Sequence, residues 1–483
     1  MSIAADRPAI VLIMNYAAKL FCVSVGRKFS FCTSIAFKKI APVDPMDQDE
    51  QGIPQFRLED CKKISEGKTK TILQISDSSF VLVQSKDFVA AFSTEQKYEV
   101  DGKAELSNAT TCRVFEYLNM LGIRTHYIKK HSDTEFIAKR CVMLPLEWVV
   151  RRVAAGSYLR RNPAVKEGYM FYPPKVEIFY KDDAAGDRLW SRETLIESGL
   201  TVSGITIEQA EVNLMTCVCS TVFEVLERAW LTFGCTLVDL KVEFGVDPLT
   251  GNIIVADVID SDSWLLWPGD DNRLQLDKQF YRDLTDVQEK HLIELKDNYT
   301  WVVEKIKQFR TAPVGRAIVL MACERDSNFC EDIRAHLLRL GVPCFLRVTS
   351  AHKSTNKTMK MLTEFESGHI PTVFIVVAGN NDGLAALLAG NTPYPVISCL
   401  PVNEQASSED LRSSICLPGA GVGCTTANSA DSAALHAASI LGLSDHVVWG
   451  HLRVKKLLNH IAMMKSDRAF RLGNVTSMEK TNR

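Results

Sequence analysis

The clearest pattern of apolar and polar positions lies between Leu237 and Pro268. Its first segment alternates with a period of two, which is typical of a β-strand with apolar side chains on one sheet face and polar side chains on the other. The apolar positions are Val238, Leu240, Val242 and Phe244, and the polar positions between them are Asp239, Lys241 and Glu243. This strand is predicted to carry its three charged residues on one shared face.

A turn and a second strand follow this segment. Residues 247–252 have turn chemistry, and Ile253 to Val258 is a β-branched run that should pair back as a hairpin. Asp257 would then lie beside Asp239, Lys241 and Glu243. Crowded carboxylates repel one another unless a cation lies among them, and hard oxygen ligands favour Mg²⁺ that also holds phosphates. The alternative is a solvated outer face of an antiparallel sheet.

Three further elements are predicted before this hairpin. Ile72 to Ile75 and Phe80 to Gln84 form a hairpin, Asn108 to Leu121 an amphipathic helix, and Phe136 to Val142 a strand. The first hairpin is preceded by Gly67-Lys68-Thr69-Lys70, which lacks the earlier glycine of a Walker A loop. That turn is either an exposed basic turn or a contact for a phosphate chain.

A second candidate anion site lies in the run from Met143 to Ser157. Arg151 and Ser157 bracket a stretch of small residues that allows close approach to a ligand. Arginine with a hydroxyl is suited to binding a monophosphate.

After a break at residues 311–315, short apolar strands alternate with helices, which indicates a parallel sheet covered on both faces. Ligands of such sheets bind at the carboxyl ends of the strands, where Asp326, Ser350, His352 and Lys353 lie. The histidine either shuttles a proton or is a bystander. Residues 322–325 exclude a dinucleotide fingerprint. The predicted strands are Ala317 to Met321, Cys344 to Val348, Thr372 to Val377 and Tyr394 to Cys399, and the predicted helices are Phe329 to Leu340, Gly383 to Leu388 and, last, Ser429 to Leu441.

Composition narrows the class of protein. The chain has 483 residues and a net charge of -2, so it shows neither a nucleic-acid footprint nor a polyacidic character. Its 14 cysteines form no CxxC pair and indicate reduced thiols of the cytosol.

Four regions are predicted: an N-terminal extension at 1–55, a first domain at 56–283, a helical linker at 284–315 and a second domain at 316–483. The extension is basic and poor in acids up to residue 39, which is typical either of an organelle-targeting peptide or of a disordered segment. Its apolar run at 9–14 is too short to span a bilayer, so no membrane association is expected.

The first domain resembles phosphoribosylaminoimidazole-succinocarboxamide synthetase. The resemblance rests on Met143 to Ser157, Leu237 to Gly245, Glu66 to Lys70, Asn162 to Asp183 and Ala256 to Pro268. It implies a two-lobed α+β fold that binds ATP and Mg²⁺ between its lobes. It also implies a reaction in which ATP phosphorylates the carboxylate of carboxyaminoimidazole ribotide and aspartate displaces the phosphate.

Roles follow from this resemblance. Lys68 and Lys70 match ATP-contacting positions, and Glu243 and Asp257 match metal-side carboxylates. Asp239 and Lys241 match catalytic positions, while Arg151 and Ser157 match the grip on the ribotide phosphate.

The second domain resembles animal-type phosphoribosylaminoimidazole carboxylase. The resemblance rests on Arg347 to Lys353, on residues 390–392 with 394–398, and on residues 417–418 with 423–424. It implies an α/β three-layer, flavodoxin-like fold and CO₂ addition to aminoimidazole ribotide without ATP or biotin. His352 would carry the proton, with Asp326, Ser350 and Lys353 around the ribotide. The fused arrangement implies a homo-octamer acting on small molecules in the cytoplasm.

Departures from both family patterns modify these expectations. Leu265 stands where the synthetases have a second phosphate-binding arginine, and Phe92 and Ala109 replace a glycine and a lysine. Ala322-Cys323-Glu324-Arg325 replaces a Gly-Ser-Thr-Ser phosphate loop, and Glu324 puts a negative charge where an anion must bind. We therefore expect an impaired carboxylase. The alternative to a bifunctional enzyme is a catalytically degraded copy that acts as a binding or scaffold subunit.

Overall fold

A computed structural model describes residues 54–76, 78–90, 97–182, 187–269, 271, 276, 288–378, 383–401 and 421–481. The predicted N-terminal extension therefore lies outside the described residues, except for its last two positions. Phe92 and residues 379–382 and 402–420 also lie outside them.

The first lobe is an antiparallel sheet of five strands in the order β1-β2-β3-β7-β6. The predicted hairpin is confirmed as β2 and β3, and the four consecutive residues from Phe80 to Val83 of β3 are all buried. Two further short strands, β4 and β5, pair with each other. The strands are β1 Lys62–Glu66, β2 Lys70–Gln74, β3 Phe80–Ser85, β4 Phe88–Ala90, β5 Lys97–Glu99, β6 Tyr127–Lys130 and β7 Glu135–Lys139.

The second lobe is built around the long central strand β13. Its sheet has the order β10-β9-β8-β13-β14, and β15 also pairs with β13. Two short strands, β11 and β12, form a separate hairpin. The strands are β8 Val142–Val153, β9 Met170–Tyr180, β10 Arg188–Trp190, β11 Thr201–Val202, β12 Ile205–Thr206, β13 Cys235–Val246, β14 Ile253–Ala256 and β15 Trp264–Pro268.

The described part of these two lobes contains five α-helices. The helix predicted at 108–121 begins five residues earlier, after Gly102 in a left-handed conformation, and ends at Gly122 as expected. The helix at 209–231 was not predicted, and its apolar side packs on the central strand through Val222 and Leu226. The helices are α1 Lys103–Leu121, α2 Ser157–Arg161, α3 Arg192–Glu197, α4 Gln209–Leu231 and α5 Glu289–Ile306.

The second domain contains a parallel sheet in the order β17-β16-β18-β19-β20. One apolar cluster lies on each face, so the predicted three-layer α/β fold is confirmed. The strands are β16 Arg316–Met321, β17 Cys344–Val348, β18 Thr372–Val377, β19 Val396–Cys399 and β20 Thr425–Ala427. The helices are α6 Ser327–Arg339, α7 Thr355–Glu366, α8 Gly383–Ala389 and α9 Ala430–Leu441.

The prediction that the helix ending at Leu441 is the last one is wrong. A further helix, α10, runs from His446 to Thr481 and packs along α4 of the second lobe. Arg453 pairs with Glu224 at 2.5 Å, and Arg228 lies over the Trp449 ring at 4.4 Å. Frequent polar residues on α10 hide the apolar period that signals a helix. No helix in the described part of the chain is both long and apolar enough to cross a bilayer.

Candidate active site

The polar face of β13 is buried rather than solvated. Asp239 is 9% exposed and Glu243 is 3% exposed on this strand, which pairs with β8 on one side and with β14 and β15 on the other. The alternative of a solvated outer face is therefore wrong. Buried carboxylates require partners, and the structure provides them as three charged clusters.

One detail of the predicted alternation is also wrong. A β-bulge between Leu237 and Asp239 shifts the register, so that Leu237 joins Leu240 in the main core and Val238 packs near Leu265 on the opposite face. A local insertion of this kind leaves no mark in a period-two pattern.

The first cluster surrounds Arg151. Its Nε donates to Glu177 Oε2 at 2.7 Å, one terminal nitrogen donates to Asp239, and the other donates to Ser157 Oγ at 3.3 Å. Arg161 also donates to Glu177 Oε2, at 2.7 Å. Arg151 and Ser157 are thus together, as predicted, and α2 begins at this serine. Glu177 and Arg161 were missed, although both lie in or beside sequence runs that carry the resemblance.

The second cluster surrounds Glu243. Lys241 Nζ donates to Glu243 Oε1 at 2.5 Å and to Glu147 Oε1 at 3.1 Å, while Lys181 Nζ donates to Glu243 Oε2 at 2.6 Å. Burial opposes ionisation of Glu243, but Lys241, Lys181 and Lys70 outweigh it and lower its pKa to about 2. Burial likewise opposes the charge of Lys241, yet Glu243 and Glu147 raise its pKa. Both groups are therefore charged at neutral pH.

The third cluster joins the lobes at Asp257. The predicted strand ends at Ala256, and Asp257 follows with a φ of 64°. Its carboxylate pairs with Lys70 at the start of β2. Burial lowers the pKa of Lys70 to about 8, against the opposite effect of Glu243. Lys68 lies exposed in the turn before β2 and is not part of this contact.

A fourth charged contact, missed from the sequence, joins α1, α5 and the segment before β15. Lys103 Nζ, only 2% exposed, lies 3.1 Å from Asp262 Oδ2, and the Tyr299 hydroxyl donates to Asp262 Oδ1 at 2.5 Å. Burial would lower the pKa of Lys103, but Asp262 and Asp260 raise it. Tyr299 lies on α5, so the predicted linker helix contacts Asp262, in the segment between β14 and β15.

The donor chemistry of the cleft fits a magnesium ion bound together with a nucleotide. Within the described ranges, no group of three or more His, Cys, Asp or Glu side chains is arranged to hold a metal ion alone. Mg²⁺ commonly takes only one or two protein carboxylates and completes its shell with phosphates and water. Glu243 and Asp257 supply two such carboxylates near Lys70, which interacts with both.

Leu265 lies beside the Arg151 cluster. It pairs with Asp239 across β15 and β13, and Asp239 pairs with Arg151 across β13 and β8. Directly paired residues present their side chains on the same face. Leu265 therefore lies on the same sheet face as Arg151 and Asp239, where it packs with Val153 and Trp267.

The candidate residues of the second domain lie at the carboxyl ends of its strands. His352 is exposed, with Nε2 3.1 Å from where a Cβ on Gly383 would lie. The Lys353 amide donates to Ser350 Oγ at 3.4 Å, and Lys353 itself is exposed. Asp326 precedes α6, and burial raises its pKa. The strand ends bring these residues to one edge of the sheet, which is the predicted location.

The loop after β16, residues 322–325, differs in sequence from the Gly-Ser-Thr-Ser family pattern. Arg325 turns back so that its Nε donates to Cys323 Sγ at 3.3 Å, and this contact lowers the pKa of the thiol. Glu324 and Arg325 are both exposed. The loop therefore offers an anion one negative and one positive side chain where the family pattern offers hydroxyls.

Comparison with known proteins gives two family matches. The SAICAR synthetase family matches residues 63–298, and the AIR carboxylase family matches residues 316–460. The chain is 47% identical over 412 residues to "Multifunctional protein ADE2" of Gallus gallus, covering 85% of this chain and 96% of the relative.

Two further relatives are bifunctional phosphoribosylaminoimidazole carboxylase/phosphoribosylaminoimidazole succinocarboxamide synthetases. The one from Homo sapiens is 46% identical and the one from Drosophila melanogaster 44%. The alignments cover 86% and 85% of this chain and 98% and 95% of the relatives. The comparisons give no support to the alternative of a degraded copy. The chain belongs to the family of bifunctional purine-biosynthesis enzymes in which a SAICAR synthetase domain, a ligase, precedes an AIR carboxylase domain, a lyase.

Proposed function

We propose that the first domain ligates aspartate to carboxyaminoimidazole ribotide with ATP. A carboxylate oxygen of the ribotide attacks the γ-phosphorus of ATP and releases ADP. The aspartate amine then attacks the acyl carbon, phosphate leaves, and the amine loses a proton. The observation that carries this proposal is the placement of two kinds of cluster on one buried face of β13: an arginine–hydroxyl pair at one end, and lysines with carboxylates at the other.

Each cluster has a task in this reaction. Arg151 and Ser157 hold the ribotide phosphate, and Asp239 and Glu177 fix the arginine in place. Lys70 and the exposed Lys68 contact the ATP phosphates. Glu243 and Asp257 would hold Mg²⁺, which screens the phosphate charge.

Lys241 has its own task, because it lies between the two ends of this face. It reaches Glu243 and Glu147 and remains charged, so it stabilises the negative charge that develops when two anions react. Asp239 lies on the same strand and orients the ribotide through Arg151.

Aspartate-dependent release of ADP in the presence of carboxyaminoimidazole ribotide tests this function. We expect it from the wild-type chain. We expect a loss on the order of a hundredfold or more in kcat for Lys241→Met, which removes a preorganised charge. Lys63→Met is the matched control, since Lys63 lies exposed on β1 in an ion pair with Glu66. A wild-type rate no higher than background, or equal loss in both variants, would refute the proposal.

We further propose that the second domain adds CO₂ to aminoimidazole ribotide, but with impaired activity. The ring carbon attacks CO₂ and then loses its proton to His352, while Ser350, Lys353 and Asp326 hold the ribotide. The exposed Glu324 opposes the phosphate, as expected from its charge. Replacing residues 322–325 by Gly-Ser-Thr-Ser should lower KM for the ribotide without changing kcat. Full activity of the unmodified chain would contradict the impairment.

The division of the chain and its assembly are part of this proposal. We assign the ligase to 56–283, the helical connection to 284–315 and the carboxylase to 316–483. A homo-octamer in the cytosol is supported by two features. β17 is an edge strand with Phe345 and Val348 each 50% exposed, and the 11 cysteines of the described part are free thiols. Light scattering of the purified chain tests the octamer.

A further inference from the structure

Asp257 is held at both its side chain and its backbone by residues of the first lobe. Its carboxylate pairs with Lys70 of β2, and its backbone oxygen lies 2.8 Å from His126 Nε2, just before β6. Both partners belong to the first sheet or its immediate continuation, whereas Asp257 follows β14 of the second sheet. A carboxylate proposed for the metal is thus fixed by two contacts that cross the cleft.

The backbone of Asp257 adopts an uncommon conformation. Its φ of 64° lies in the left-handed region, which residues other than glycine rarely adopt without support from their surroundings. The regular ladder between β13 and β14 ends one residue earlier, at the pair Glu243 and Ala256. Since that ladder no longer constrains Asp257, the hydrogen bond from His126 supplies a constraint at this residue.

The surroundings of His126 fix the position of its ring. The ring lies edge-on to Phe115 and Phe136, with centroids 5.5 and 5.7 Å away, and the residue is 6% exposed. Its backbone amide donates to the Val255 oxygen at 2.8 Å, which ties it to β14 as well. Because a carbonyl oxygen only accepts, Nε2 must carry a proton in the contact with Asp257.

We propose that His126 is a positioning residue of the synthetase site: its Nε2–H holds the Asp257 carbonyl, and thereby aims the Asp257 carboxylate at Lys70 and at the cation of the nucleotide. This inference rests on the proposed function, in which Asp257 is a metal-side carboxylate. His126 acts through Asp257 and does not itself touch a substrate.

The test compares variants that keep or remove the donor. His126→Phe keeps an aromatic ring between the two phenylalanines but has no N–H, and His126→Gln keeps a side-chain N–H donor. The measurements are calorimetric binding of Mg²⁺·ADP and the Mg²⁺ concentration for half-maximal ADP release. For His126→Phe we expect the affinity for Mg²⁺·ADP to fall and the half-maximal Mg²⁺ concentration to rise, each by about two- to tenfold. This is the effect of one lost hydrogen bond. KM for aspartate should not change, and His126→Gln should recover most of the loss.

His446→Phe is the matched control. His446 is also a buried histidine with one side-chain hydrogen bond, to the Tyr117 hydroxyl at 3.1 Å, but it lies on α10 away from the cleft. Its replacement should lower the melting temperature without changing the Mg²⁺ requirement. A purely structural role of His126 would make the two variants behave alike, and that result would overturn the inference.

The remaining outcomes of this experiment also test the role of His126. Unchanged Mg²⁺·ADP affinity in a folded His126→Phe variant overturns the inference while leaving the synthetase function intact. If the wild type releases no ADP, the proposed function fails, but the calorimetric comparison still tests the positioning of Asp257. If His126→Phe does not fold, His126→Gln is compared with the shorter His126→Asn. Equal affinities of those two for Mg²⁺·ADP overturn the inference.

Discussion

Replacing Leu265 by arginine should strengthen use of the ribotide. The proposed phosphate site contains the guanidinium groups of Arg151 and Arg161 and the carboxylates of Asp239 and Glu177. All four groups belong to one hydrogen-bonded network. These four described side chains carry two positive and two negative charges, which together cancel, although the site is proposed to bind a phosphate that is close to a dianion. Leu265→Arg would add one positive charge on the same face.

The magnitude follows from the geometry. Directly paired residues on neighbouring strands have Cβ atoms about 5 Å apart, so the new guanidinium would reach both Asp239 and a phosphate beside Arg151. A hydrogen bond between charged groups contributes about 1.5 to 3 kcal/mol. Since about 1.4 kcal/mol corresponds to a factor of ten, we expect kcat/KM for the ribotide to rise roughly tenfold to a hundredfold. KM for ATP should not change.

The assay is steady-state ADP release with the ribotide varied at saturating ATP and aspartate. Leu265→Gln is the control, because it is polar and extended but carries no charge, and it should give no gain. The variant also loses apolar packing against Val153 and Trp267, so its melting temperature is measured in parallel. A folded Leu265→Arg variant with the wild-type kcat/KM would refute our placement of the phosphate on this face.

Three further predictions concern single residues. Because burial lowers the pKa of Lys70 to about 8, kcat/KM for ATP should fall as the pH rises above that value, and Lys70→Arg should remove this decline. The lowered pKa of Glu243 means that its stabilising contribution is present above pH 4.5 and is lost as the pH falls through about 2. Glu243→Gln should therefore cost about 3 to 5 kcal/mol in urea unfolding at pH 7, with a smaller difference in acid. Gly383→Ala would place a methyl group 3.1 Å from His352 Nε2, so it should lower CO₂ fixation and leave aspartate-dependent ADP release unchanged.

The sequence alone was sufficient for the elements whose pattern is local. The hairpin of β13 and β14 follows from alternation and turn residues, and β17 and β18 have the predicted limits. Local pattern fails where several constraints compete. The helix α10 was missed because its polar residues mask the period, and the bulge beside Val238 was missed because an inserted residue does not change composition.

The candidate active site also combines residues that sequence motifs identify with residues that only the structure reveals. Motifs named Arg151, Ser157, Lys70, Glu243 and Asp257, and the structure brings Arg151 to Ser157 and Lys70 to Asp257. A motif is a string of neighbours in the chain, whereas a buried charge is compensated by whichever opposite charge is near in space.

The sequence by itself was sufficient to identify the two families, the order of the domains and the candidate carboxylates of the central hairpin. These features depend on the spacing of residues along the chain. Only the tertiary structure decided that the charged face is buried, that Lys181 and Glu177 complete its clusters, and that His126 reaches Asp257 across the two lobes. His126 and Asp257 are 131 positions apart in the chain. Their contact arises from the packing of two sheets, which no local pattern records.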